Sequence, residues 1–438
     1  MKMAPRNMLN LIENLLGEEA VELLRRLGEI GVGCGAPPCV VGGVVRDALI
    51  GIANQDLDIV VEGDGETFAA RAADELGGSV KAHTRFGTAI VVLPDGRKID
   101  VASARSESYE RPGALPRVEP GSVEQDLLRR DFTINSMAVR VDPQRFGQLL
   151  DLYGGRKDLE DGVLRVLTDR SFVDDPTRIL RGVRFSARFG FRFEKRTERL
   201  LREAVRNDTL ATVSGERIMN EIVLILQERE PWPPVARMID WEILTSIERS
   251  WRGGPELEAT FTGLATLLRE EPLADAVPEE ERWSVFLLAM IEPLSPDERQ
   301  AVLQRLRAGR TLRRLASGLA RAESPATREV LSAGSSSPSE VYGTLEGVPP
   351  EALALRLALS GETREATRIR LYLSELRHVR PALDGTDLAE LGVGEGREVG
   401  LLLRKLLEAR LDGTVTNDEE ERALAERLSN NLDAGNKI

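Results

Sequence analysis

The hydrophobic positions follow two periods in the first two hundred residues and one thereafter. Between Met8 and Ile30, Leu11, Leu15, Leu16, Leu23, Leu24 and Leu27 recur at helical spacing, which predicts one amphipathic helix ending at Gly31-Val32-Gly33. Short apolar runs then predict strands over residues 39–41, 56–61, 80–82, 88–93 and 98–104, the last two joined by the hairpin turn Pro94-Asp95-Gly96. Helices are expected over 44–50 and 67–76, the second closed by Gly77-Gly78. The pattern describes an α+β region with a five-stranded mixed sheet. From about Thr197 no strand pattern returns; leucine-rich helices run to about Leu331, and the serine-rich stretch 332–339 is the clearest hinge signal.

A chain of 438 residues, 42% of them hydrophobic, is too long for one core and predicts two to four domains. No apolar run reaches the length of a membrane span, and the first ten residues lack the apolar core of a secretory signal, so no membrane partner and a cytoplasmic location are expected. Cys34 and Cys39 share one short loop and read as idle thiols without a disulfide partner. The net charge of −13 argues against nucleic acid only on average. Arginines crowd the stretch 178–206 while acids dominate 270–300 and 417–427, which leaves room for a basic cleft. Only His83 and His378 occur, so multi-histidine metal clusters and histidine-based triads are not expected.

Against this background the glycine pair Gly42-Gly43, between a strand and a helix start, stands out. Glycine lets the backbone approach an anion, and the free N–H groups of a helix start favour phosphate. Side chains alternate along a strand, so Asp56 and Asp58 share a face while Leu57 and Ile59 turn inward. Two carboxylates on one side suit a hard divalent ion. Asp100 lies between Ile99 and Val101, either as a third carboxylate on a shared metal or as a charge facing solvent. Downstream, Arg129 and Arg130 offer forked donors to phosphates and Asn135 a partner for a sugar hydroxyl; taken alone, this is a charged helix end.

Asp174-Asp175-Pro176 opens another helix in the manner capping predicts, with Asp175 as its cap. Within it Arg178, Arg181 and Arg184 recur every three residues as one slanting basic face, and Ile179, Leu180 and Val183 pack inward. The stretch 106–121, rich in Pro and Gly, is expected to be irregular, either a mobile active-site loop or a connector.

With these residues quoted, the sequence resembles the class II tRNA nucleotidyltransferases, the CCA-adding enzymes, which share a core with bacterial poly(A) polymerases. Five blocks carry the resemblance in order: Gly42 to Asp47 with Asp56-Leu57-Asp58, Arg129 to Asn135, Asp151 to Leu159, Asp174 to Arg178, and Gly215-Glu216-Arg217 with Glu221. The resemblance implies a catalytic head over 1–140, a helical neck over 141–255, a body over 256–331 and a tRNA-binding tail over 332–438. It implies magnesium held by Asp56 and Asp58 in a two-metal mechanism, and a phosphate pocket shaped by Gly42, Gly43, Arg46 and Asp47. Arg129, Asp131 and Asn135 would hold the incoming CTP or ATP. Asp175 and Arg178 would pair with its base as an amino-acid template, next to Arg181 and Arg184. The implied partner is tRNA, through its acceptor arm and 3′ end.

Asp174 stands where the family usually has Glu. Arg85-Phe86-Gly87-Thr88 and the stretch 109–114 resemble the branch that holds complete CCA-adding enzymes as well as enzymes adding only CC or only A, so the product stays open. A stretch 106–121 that is not shortened leans away from CC alone. A poly(A) polymerase and a catalytically silent RNA-binding protein remain as alternatives.

Overall fold

The computed structural model describes residues 8–54, 56–84, 87–393 and 396–435; Arg85 and Phe86 of the branch-specific stretch lie outside them. The chain divides into two compact units. One comprises the residues up to Ile225 together with Pro233–Arg249, the other Leu226–Trp232 and the residues from Ser250 onward.

In the first unit the strands are β1 (Pro38–Val41), β2 (Leu57–Val61), β3 (Ser79–Thr84), β4 (Thr88–Val92), β5 (Lys98–Ser103), β6 (Arg105–Ser108), β7 (Arg117–Pro120), β8 (Ala138–Arg140), β9 (Leu149–Leu150), and the short parallel pair β10 (Val163–Leu164) and β11 (Arg192–Phe193). Seven of them form one mixed sheet in the order β3-β4-β5-β2-β1-β8-β9, with β2 and β5 parallel and the other neighbours antiparallel. The expectation of five strands fell short because β8 and β9 are three and two residues long. Such strands show no alternation of their own; they exist because Val40 and Val139, then Val139 and Leu149, stand opposite each other in the ladders.

Two other expectations are corrected. The opening helix is broken into Leu9–Leu16 and Glu18–Gly33 by Gly17 at φ +86°, a conformation that leucine spacing cannot register. The stretch 106–121 is irregular only over 109–116: on either side β6 and β7 pair antiparallel as a hairpin, with Ser106 opposite Glu119, and Tyr109, Leu115 and Pro116 of the loop line a cleft of this unit.

The helix Thr177–Phe189 buries Ile179, Leu180 and Val183 as its spacing predicted. Its Gly182 lies so close to the segment before β8 that an added Cβ would stand 2.8 Å from the ring of Phe132. Phe132 is itself fully buried and meets Phe185 of that helix edge to face, at 6.2 Å. This aromatic seam fixes the arginine-bearing helix beside the Arg129–Asn135 segment.

The regular elements described in the second unit are all helices. Residues Val285 to Ile291 are all buried in one helix, against the helix Pro350–Ser360. The serine-rich stretch contracts to a short connector, since one helix runs to Ser332 and Ser337 already caps the next, Pro338–Leu345, in a capping box with Glu340. No helix of the described residues is long and apolar enough to cross a membrane. Cys34 and Cys39 are free, and burial pushes the Cys39 thiol up to about 11.

Candidate active site

A cleft of about 750 Å³ opens in the first unit where β1, β2, the Arg129–Asn135 segment and the helix Thr177–Phe189 converge. It is lined by nine arginines and five carboxylates, so a strongly cationic cavity sits in an acidic chain.

At its floor, Gly42 holds φ +76° and ψ −134°, open to glycine but not to ordinary residues, and starts the helix Gly43–Leu49. A Cβ there would stand 3.0 Å from Nη1 of Arg130 and 3.6 Å from Oδ2 of Asp58, which places the turn, the guanidinium and the carboxylate side by side. Asp56 and Asp58 both line the cleft, as alternation along β2 requires. Asp58 is exposed to the cleft. Burial, then the neighbouring Asp100 and Asp56, push its carboxyl above the usual range, against the pull of Arg130. A divalent cation beside the Asp58 carboxylate would offset this crowding of negative charge, and hard oxygen donors fit magnesium. Asp100 stands directly opposite Asp58 in the β2–β5 register, and the two line an adjoining cavity of about 380 Å³ together with Arg129 and Arg130, whereas of the two carboxylates only Asp58 also lines the main cleft. Among the described residues no three carboxylates, histidines or cysteines gather closely enough to form a metal-binding group, so a trio of Asp56, Asp58 and Asp100 is not assembled here.

A chain of charged contacts crosses the cleft behind this pair. Asp47 does not line the cavity; 2% exposed, it accepts from Arg46 Nε and Asn54 Nδ2, both at 2.8 Å, and so aims Arg46. Arg46 donates to Asn135 Oδ1 at 2.6 Å, and Asn135 Nδ2 donates to Asp131 at 2.9 Å. Both ends of the Asn135 amide are thus engaged within the protein. Asp131 accepts from Arg181 Nε at 2.8 Å, and Arg181 in turn reaches Glu221 at 3.5 Å. Burial alone would raise the Asp131 carboxyl, but Arg181, Asn135 and the Phe132 N–H outweigh it and hold it at about 2. Glu221 goes the other way: burial lifts it, and Arg181 and Arg184 only partly compensate.

The basic face expected on the helix Thr177–Phe189 is not a solvated one. Arg178 and Arg184 are 8% and 7% exposed, and Arg46, Arg181 and Arg184 all face the ring of Phe185 at 4.8–5.5 Å. Arg178 donates to Ser171 Oγ at 2.8 Å and to the Arg129 carbonyl at 2.6 Å. Asp175 does cap the helix, taking the Thr177 N–H at 3.2 Å and its hydroxyl at 2.6 Å. It also pairs with Arg217 at 2.7 Å.

The chain can be compared with known proteins on this geometry. Residues 39–165 match the Poly A polymerase head domain, and residues 190–249 match the probable RNA- and SrmB-binding site of polymerase A. The A-adding tRNA nucleotidyltransferase of Halalkalibacterium halodurans is 34% identical over 97% of this chain and 96% of its own length. The chain belongs to the tRNA nucleotidyltransferase family.

Among other members, the A-adding enzyme of Geobacter sulfurreducens is 36% identical over 97% of this chain, which spans only 49% of that longer protein. The CC-adding enzyme of Deinococcus radiodurans is 34% identical over 87% of each chain. The CCA-adding enzyme of Thermotoga maritima, solved in complex with tRNA, superposes with a TM-score of 0.76 at 32% identity, covering 97% of this chain and 98% of that one.

Of the residues singled out from sequence, the fold brings Gly42, Gly43, Arg46, Asp56, Asp58, Arg129, Asp131, Asn135, Asp175, Arg178, Arg181 and Arg184 to one cleft. Sequence reasoning missed Arg105, Glu107, Tyr109, Arg188 and Phe185 as lining residues. Glu107 binds Arg129 at 2.9 Å and the Tyr109 hydroxyl at 2.9 Å. The signal was available in part, because Arg105, Glu107 and Tyr109 alternate as strand residues on one face do.

Proposed function

We propose that the chain extends the 3′ end of tRNA with CMP, AMP or both, using CTP and ATP and no nucleic-acid template. One observation carries the reading: Asp56 and Asp58 share a cleft with an excess of arginines and with the Asp175–Arg178 pair. In nucleotidyl transfer the RNA 3′ oxygen bonds to the α-phosphorus as the bond to the leaving pyrophosphate breaks, so charge builds on phosphate oxygens. Magnesium held by Asp56 and Asp58 would supply Lewis acidity toward the 3′ hydroxyl and the phosphates. Arg46 and Arg130, fixed by Asp47 and Asp126, offer donors to the triphosphate, and the positive φ of Gly42 allows its backbone to come close. Asp131, ionised at any ordinary pH, holds Arg181 in place.

Asp175 and Arg178 form the base reader. A fixed carboxylate and guanidinium match the hydrogen-bonding edge of cytosine or adenine and mismatch guanine or uracil. Residues 1–140 serve as the head, 141–255 as the neck, 256–331 as the body and 332–438 as the tail, with β9 extending the head sheet past residue 140. The setting is the cytoplasm, where tRNA is matured.

The test is incubation of purified protein with magnesium, labelled CTP or ATP, and tRNAs ending before CCA, at C or at CC. Completion of CCA, of CC alone or of the last A alone fixes the product. An adenosine ladder identifies a poly(A) polymerase instead, and no incorporation with RNA still bound identifies a silent RNA-binding protein.

A further inference from the structure

From Arg299 to Ala322 the chain carries seven arginines and not one aspartate or glutamate, in a protein of net charge −13. The run ends in the helix Arg310–Ala322 of the second unit. Leu312, Leu315, Gly318, Leu319 and Ala322 form its buried face, and Gly318 sits so tightly on Pro349 that a Cβ would come within 2.3 Å of the proline ring. That contact fixes which side faces out. At 100° per residue, Arg310, Arg313, Arg314 and Arg321 fall within one arc opposite the leucines, and all four are exposed.

These arginines are not balanced by the protein. Most arginines of the cleft have carboxylate partners, whereas none of these four forms an ion pair among the described residues. Arg313 donates to the Ala308 carbonyl at 3.1 Å and Arg321 to the Thr344 carbonyl at 3.1 Å. Arg314 feels the buried Glu351, and Glu323, the next acid along the chain, is taken by Arg299 at 2.7 Å. The first turn carries no acidic residue either, although acids are what the helix dipole favours there. Glu351 offsets part of the charge at Arg314 alone, so repulsion among Arg310, Arg313 and Arg314 is only partly relieved by the protein, and a row of phosphates is its natural complement.

We propose that this face is a phosphate-backbone contact for RNA, gripping tRNA outside the nucleotidyl-transfer cleft, none of whose lining it supplies. The inference rests on the reading of the chain as a tRNA-extending enzyme. Forked guanidinium donors on a regular helix contact sugar-phosphate irrespective of sequence, so the surface sets affinity and leaves the choice of nucleotide to the cleft.

The test measures tRNA binding by fluorescence anisotropy across a salt series, for the full chain and for the variant R310Q/R313Q/R314Q, with R310K/R313K/R314K as the charge-retaining control. Wild type should bind with a steep salt slope. The glutamine variant should lose about 2 to 3 from the slope of log Kobs against log salt, and about tenfold or more in affinity near 0.15 M salt. The lysine variant should keep the slope, and kcat at saturating tRNA should be the same in all three. An unchanged slope in the glutamine variant overturns the proposal, as does an equal loss of binding to polyglutamate, which marks a general polyanion surface. If wild type extends no tRNA but its RNA binding still depends on these arginines, the enzymatic reading fails and the contact surface stands.

Discussion

Arg217 and Asp175, 42 residues apart in sequence, meet at 2.7 Å on the wall of the cleft. The Arg217 Nη2, the Thr177 N–H and the Thr177 hydroxyl all converge on Oδ1 of Asp175. On the proposed reading, Oδ2 is then the oxygen that would accept from an incoming base.

Arg217→Ala should therefore act on nucleotide choice more than on folding. Charge-assisted hydrogen bonds contribute about 1.5–3 kcal/mol, so kcat/KM for the correct triphosphate should fall roughly ten- to a hundredfold. Incorporation of UTP and GTP should fall less, narrowing discrimination. Steady-state kinetics with all four triphosphates check this; equal losses for all four would show that Arg217 does not orient the base reader.

Asp131→Asn should weaken the first unit. The carboxyl ionises at about 2 in the fold against an ordinary 3.8, so the ionised form is favoured by folding. The stabilisation is complete above about pH 4 and is lost as pH falls toward 2. It amounts to about 2 kcal/mol at neutral pH. Urea unfolding at pH 7 should show a loss of this order in the variant, and the gap should close as the pH of the wild-type sample approaches 2.

Asp58→Asn should abolish incorporation, by roughly a thousandfold or more, because the donor set for the divalent ion is broken. Its effect on stability has the opposite sign. Burial and the adjacent Asp100 and Asp56 raise the Asp58 carboxyl, so its charge at pH 7 opposes folding, and removing that charge should raise the Tm without metal. Magnesium at about ten times its Kd should stabilise wild type by about 1.4 kcal/mol and the variant hardly at all. A thermal-shift titration with magnesium tests the metal assignment without reference to activity; equal shifts in both proteins would defeat it.

Gly42→Ala and Gly43→Ala should differ sharply although the residues are adjacent. At Gly42 a side chain meets a positive φ and the Arg130 guanidinium at 3.0 Å, which should cost about 1–3 kcal/mol and raise KM for the triphosphate. At Gly43 the helix accepts alanine, and the nearest atom is Arg46 Nη2 at 3.4 Å. Urea unfolding and KM for both variants check the contrast.

Much of the site was legible because its signals are local. The glycine turn, the alternation of Asp56 and Asp58 at the start of β2 and the three-residue spacing of Arg178, Arg181 and Arg184 each follow from a backbone period or a single φ. The opening helix misled for the same reason, since Leu11 to Leu27 keep helical phase across Gly17 and only its conformation shows the break. β8 and β9 had no signal to offer, their existence depending on partners supplied by β1 and by each other.

By itself the sequence determined the strand–glycine turn–strand unit, the carboxylate pair and the helical character of everything after about residue 200, because periodicity and glycine freedom act over a few residues. Tertiary structure alone decided that Asp47 serves Arg46 and not the cleft, that Asp100 meets Asp58 only in the adjoining cavity, and that Asn135 is bound at both ends. It also decided that the Asp131 carboxyl is pulled below the usual range while that of Asp58 is pushed above it. These outcomes depend on groups tens of residues apart being desolvated together, and the energy of a buried charge is set by its neighbours in space.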